Sequence, residues 1–255
     1  MPAEVFKTGA LFQVASLALR LSAMLVFLPL PGFKSLPAPA RVLFALSLAA
    51  VLAVSAPPAL YEEQLGSDFL VRLFADLLTG VSIGLVSTLV VEAFTFSGQV
   101  ISVQAGFSYA STIDPFSESD SGILPSLFSL AANLLLFHSP LYAELIRALM
   151  AGLLRSPSRA LLRAPETARI LIGFSAHCLE IGIKLALPII ALLFLADLCI
   201  GLFGRLQPQI QFLSMSFSLK LLGAMAVVAA LAPALRWLYQ QLAASAVNVL
   251  HLLAR

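Results

Sequence analysis

Charge is scarce in this chain. Asp, Glu, Lys and Arg make up 11% of its 255 residues, against about 25% in an ordinary soluble domain. The net charge is only +2, and no basic stripe with interleaved aromatics occurs, so nucleic-acid binding by bulk electrostatics is excluded. Cysteine is nearly absent. Cys178 and Cys199 both lie inside apolar runs, where they read as small packing residues and not as a disulfide framework. The sequence contains no H-E-x-x-H. His177 and Glu180 share a turn, but no second histidine follows to complete a metal site, and His138 and His251 stand apart. Glu62-Glu63 reads as a solvated loop. No enzyme and no cofactor are expected.

What the chain does have is apolar surface. Hydrophobic residues make up 60% of it, more than a water-soluble particle of this length can hide, so lipid or tightly packed partners must cover the excess. The expected fold class is therefore all-α: an integral membrane protein of apolar helices, several broken by proline, packed as hairpins in a larger hetero-oligomer. Six apolar stretches carry that expectation: Gly9–Leu30 with Arg20 in its middle, Val42–Leu60 ending in Pro57-Pro58, Leu73–Phe96 with Asp76 and Glu92, Ile123–Leu154 with His138, Glu144 and Arg147, Ile170–Gly204, and Ile210–Leu253 interrupted by Pro233. Ala38-Pro39-Ala40 has the look of a signal cleavage site. The run before it is longer than a signal core and is not preceded by a clear basic bias, so it is read as a retained helix.

Lengths complicate simple spanning. A helix over Ile170–Gly204 would be roughly 50 Å long, while the hydrocarbon layer is about 30 Å thick. Such segments must tilt, break at Pro188 and Pro233, or leave the bilayer. Arg155, Arg159, Arg163 and Arg169 crowd one connection and place it in the cytoplasm. Counting spans from there puts both termini in the cytoplasm and the 98–122 connection outside, together with the 205–220 region. That second region is basic, so the rule is obeyed imperfectly.

Within the stretches, Gly80 and Gly84 form a G-x-x-x-G pair flanked by Thr79 and Ser87, a face that lets another helix approach closely. Charges inside apolar helices are costly and usually paired or functional. Glu180 and Lys184 stand four apart and are expected to pair on one helix face, poorly exposed to water. Asp197 and Arg205 lie about 12 Å apart along a straight helix and must find other partners. A transporter would use such charges for ion coupling and an assembly subunit for packing register. The residues alone leave both open.

The connection from Gly98 to Gly122 mixes glycine, serine and aromatics. Judged by composition it is a polar external loop, but Phe107, Tyr109 and Phe116 are unusual in a solvated segment. Gly106 and Asp114-Pro115 impose turns. Its segment G-Q-x-I-S-x-Q-x-G-F-S-x-A-S-x-x-D-P, Gly98–Pro115, resembles the signature of the FliR family of flagellar export-gate subunits. Further matches are Leu36-Pro37 through Arg41, the run Leu185–Leu198, and then Arg205, Pro208-Gln209 and Lys220. Ser117–Ser121 departs from the family pattern in lacking a glycine.

The resemblance implies a structural subunit that joins FliP-like, FliQ-like and FlhB-like chains in the bacterial inner membrane, at the flagellar basal body. There they form a channel for flagellar building proteins, driven by the proton motive force and partner proteins. Residues 1–169 would correspond to a FliP-like part and 170–255 to a FliQ-like helix hairpin, with helices rising out of the membrane plane. The loop would be the channel plug: Gly106, Phe107, Ser108, Tyr109, Ala110, Ser111, Ile113, Asp114, Pro115 and Phe116. Glu180, Lys184, Asp197, Arg205 and Lys220 would serve packing. The equivalent subunit of virulence-type secretion systems is the near alternative, and Gly98-Gln99 with Gly106-Phe107-Ser108 favours the flagellar branch. A small-molecule carrier is the distant one. Its proline-glutamine motif occurs once here, at Pro208-Gln209, where such carriers show it twice in related repeats.

Overall fold

A computed structural model of the chain describes residues 2–29, 37–54, 69–106, 122–153, 164–206 and 212–253. Every regular element among them is a helix, as chains with few polar side chains to satisfy backbone groups require in an apolar medium. In chain order these are α1 (Pro2–Phe27), α2 (Ala38–Val54), α3 (Phe69–Ala105), α4 (Ile123–His138), α5 (Leu141–Leu153), α6 (Ala164–Leu206), α7 (Phe212–Ala230) and α8 (Ala232–Leu253). Two of them are long and apolar enough to cross a membrane, over Leu73–Ala105 and Ala164–Leu202; there are up to four such spans if α4–α5 and α7–α8 each count as one bent span.

The apolar stretches read from sequence are thus divided differently in places. The fourth is broken, because Ser139 before Pro140 takes an extended conformation (φ −89°, ψ 154°), as the residue before a proline prefers. The sixth is broken at Leu231, two residues before Pro233, which sits in the first turn of α8 where a missing N–H costs nothing. No break occurs at Pro188: α6 runs continuously through it.

The helices form two compact units. The first comprises residues 1–89, 140–175 and 244–255. In it α1 packs against α2 and lies along the first half of α3. The second comprises residues 90–139 and 176–243. Here the second half of α3 meets α4, α6 and α8: Gly98 abuts Leu124 and Pro125, Ser97 donates to the Gly182 carbonyl at 2.8 Å, and the Phe94 and Tyr239 rings stand 5.7 Å apart. Cys178 is buried and Cys199 exposed, and both are free thiols.

Candidate functional site: loop roots and intramembrane charges

Position 76 begins a ladder along α3. Asp76, Gly80, Gly84 and Thr88 recur every four residues, so they lie on one side of the helix. Each meets α1. Asp76 accepts hydrogen bonds from Ser16 and from the Arg20 guanidinium. A Cβ at Gly80 would run into the Arg20 carbonyl and stand 3.0 Å from the Ala23 Cβ; at Gly84 it would stand 2.8 Å from the Met24 carbonyl oxygen and 2.9 Å from the Phe27 Cβ. Thr88 donates to the Phe27 carbonyl. The residue numbers climb together on both helices, so α1 and α3 run side by side in the same direction.

The Arg20–Asp76 ion pair is almost wholly enclosed, with side-chain exposures of 6% and 5%. Both charges are visible in the sequence, but their pairing is not. The available signal was that each is a charge inside an apolar stretch and therefore needs a partner.

The roots of the 98–122 connection are well defined. Gly106 follows the last residue of α3 with φ 86° and donates from its N–H to the Val103 carbonyl at 3.1 Å. This is the left-handed helix terminus that glycine adopts without a Cβ clash. Gly122 precedes α4, and a Cβ there would stand 3.2 Å from the Ser102 hydroxyl. Gly98 against Leu124 and Pro125, and Ser102 against Gly122, make α3 and α4 antiparallel and bring the two ends of the loop together. Phe107, Ser108, Tyr109, Ala110, Ser111, Ile113, Asp114, Pro115 and Phe116 lie outside the described residues.

Beside these roots, two turns from the end of α3 or less, sits a second polar group. Asp197 of α6 pairs with Lys220 of α7, and the Gln104 amide of α3 donates to the same carboxylate at 3.4 Å. Three helices thus share one carboxylate. Arg205, in the last turn of α6, is exposed and takes no part in it.

Glu180 and Lys184 do meet, at 2.6 Å, and His177 Nδ1 stands 3.5 Å from the other Glu180 oxygen. Their expected shielding from water is not found within the chain: Lys184 and Glu180 are 60% and 54% exposed. The reason is helical phase. Cys178, Ile181, Leu185 and Ile189 take the inward side of α6, which turns Glu180 and Lys184 outward among exposed Leu179, Ile183 and Leu187.

The family described as "Bacterial export proteins, family 1" matches residues 11–246. Among similar proteins, the flagellar biosynthetic protein FliR of Bacillus subtilis (strain 168) is 27% identical over 208 residues, 80% of this chain and 79% of that protein. Its namesake in Caulobacter vibrioides (strain ATCC 19089 / CIP 103742 / CB 15) is 26% identical over 215 residues, 82% of this chain and 84% of that protein. The one in Escherichia coli (strain K12) is 26% identical over 216 residues, 84% and 82% of the respective chains.

Proposed function

From the premise that the chain belongs to the bacterial export proteins, family 1, we propose that it is a structural subunit of the flagellar type III export gate. It joins FliP-like, FliQ-like and FlhB-like subunits in the inner membrane at the flagellar basal body, and with the FliP-like and FliQ-like chains it forms the channel through which flagellar proteins leave. The observation that carries this reading is similarity across most of the chain to proteins named flagellar biosynthetic protein FliR. The exposed apolar side of α6 supports it: Ile172, Leu187, Leu198 and Leu202 are each half or more exposed and need lipid or neighbouring helices.

In this reading residues 1–169 correspond to the FliP-like part and 170–255 to the FliQ-like hairpin, and the loop from Gly106 to Phe116 closes the channel at rest. Antiparallel α3 and α4 hold its two ends, while Glu180, Lys184 and Arg205 are left to meet other subunits. The chemistry is packing and displacement, with no catalytic group or cofactor.

Affinity purification of the tagged full chain from its own membranes tests the assignment. FliP-like and FliQ-like chains are expected to co-elute after size exclusion in mild detergent, and deletion of the gene is expected to abolish secretion of hook and filament proteins. A chain that elutes alone from a strain that still secretes them at wild-type levels refutes it.

A further inference from the structure

The corner between α7 and α8 marks a change of surface. From Leu221 to Leu235 the sequence contains no charged residue. The large exposed side chains described there, Leu222 and Met225, are 68% and 42% exposed and apolar. At the next residue the character switches. Arg236, Trp237, Gln240 and Gln241 are exposed on one side of α8, while Leu238, Tyr239, Leu242 and Ala243 are buried on the other.

The two cations that bound the charge-free run differ. Lys220, before it, is neutralised by Asp197. Arg236, after it, has no carboxylate within reach among the described residues. Beside that guanidinium stands the single tryptophan of the chain, 58% exposed. An indole combines a large apolar body with one N–H donor and settles where hydrocarbon gives way to headgroups. A guanidinium matches a phosphate in charge and in hydrogen-bond geometry.

We propose that Arg236 and Trp237 form a contact with phospholipid headgroups, with the guanidinium on a lipid phosphate and the indole at the edge of the acyl layer. The inference rests on the membrane-embedded reading of the chain and is independent of its place in export. Lipid is the occupant that accounts for the whole surface, since acyl chains cover Leu222 and Met225 and the adjoining headgroup supplies an anion that Arg236 does not find among the described residues. α8 then leaves the hydrocarbon layer at Arg236, and its outward Gln240 and Gln241 lie in the polar layer.

The lone tryptophan makes the contact measurable. The full chain, with whatever subunits co-purify, is placed in nanodiscs of phosphatidylethanolamine and phosphatidylglycerol. Subtracting the Trp237→Phe emission from that of the wild type isolates this indole. Lipids brominated near the headgroup are expected to quench it at least about twofold more than lipids brominated near the methyl end, as an interfacial depth requires. Arg236→Glu is expected to weaken the shallow quenching, and Arg236→Lys to retain it. Stronger quenching by aqueous acrylamide than by either lipid overturns the proposal, because the surface then faces water. Quenching by none of the three also overturns it, because a protein partner then covers the site. Neither readout uses export, so a failed export assignment and a failed lipid contact are told apart.

Discussion

Arg20 and Asp76 each bring a charge into the packed contact of α1 with α3, and neither could remain there alone. Water reaches almost none of either side chain, so removing one strands the other at a cost of about 3–5 kcal/mol. Asp76→Ala is therefore expected to lower the melting temperature of the detergent-solubilised chain steeply. The double variant Arg20→Leu with Asp76→Leu is expected to recover part of the loss, and strictly additive effects would mean that the charges are not coupled. Two turns along the same ladder, Gly84→Leu would drive a side chain into the Met24 carbonyl and the Phe27 Cβ. It is expected to collapse the yield of folded chain in fluorescence-detected size exclusion, whereas Leu85→Ile, off the ladder, leaves it near wild type. The pair Glu180–Lys184 behaves oppositely. Because both groups are more than half exposed, Lys184→Ala should barely move the melting temperature of the isolated chain, by the weakness of exposed ion pairs.

At the level of elements, the α3–α4 hairpin and the Gln104–Asp197–Lys220 group fix where the connecting loop starts and ends. Gly106→Val would force a β-branched residue into a left-handed conformation at about 1–2 kcal/mol and is expected to fray the end of α3. Faster amide hydrogen exchange at Gln104 and Ala105 would register this, and wild-type protection there would mean that the chain finds another terminus. Asp197→Lys alone is expected to reduce the yield of folded chain, and Asp197→Lys with Lys220→Asp to restore it, because the exchange rebuilds the pair in reverse.

Much of this element plan was legible beforehand. Apolar stretches with few polar groups had to be helices, Pro233 announced the corner at Leu231, and the Gly80–Gly84 spacing announced a close neighbour. Other parts were not legible. Pro140 looked like one more residue of a single long stretch, and only the extended Ser139 reveals the break. Pro188 looked like a breaker yet is carried inside α6, since a proline removes one hydrogen bond and neighbouring groups can absorb that loss in an apolar helix. That Arg20 pairs with Asp76, and Lys220 with Asp197, depends on which helices pack together. Spacing cannot supply that for residues so far apart in the chain. The outward phase of Glu180 depends likewise on which side of α6 the neighbours take. The plug role proposed for Phe107, Tyr109 and Phe116 rests on family resemblance alone, because composition fits a solvated loop equally well.

For the molecule as a whole, the decisive question is what an export channel does when no substrate fills it. A passage wide enough for an unfolded polypeptide conducts ions unless something occupies it, and a bacterium that relies on a proton gradient cannot tolerate such a leak. The seal must also yield to an arriving chain without chemistry. A loop meets both needs better than a packed helix, because displacing it breaks few interhelical contacts. In the proposed seal the aromatic side chains of Phe107, Tyr109 and Phe116 would supply bulk, while Ser108, Ala110 and Ser111 are small enough to pack closely. The anchors of this loop lie outside it, in Gly98 against Pro125 and Gly122 beside Ser102, so shortening the loop leaves the α3–α4 contact intact. Deletion of Phe107–Ile113 is thus expected to preserve co-purification with the FliP-like and FliQ-like chains while raising ion conductance of the complex in planar bilayers and passive solute entry into cells. Phe107→Ala is expected to give a smaller increase of the same kind, since one ring is lost and the rest of the loop stays. If the deleted complex assembles fully and its conductance stays at the wild-type level, the loop is a solvated connection and the seal must be sought in another subunit.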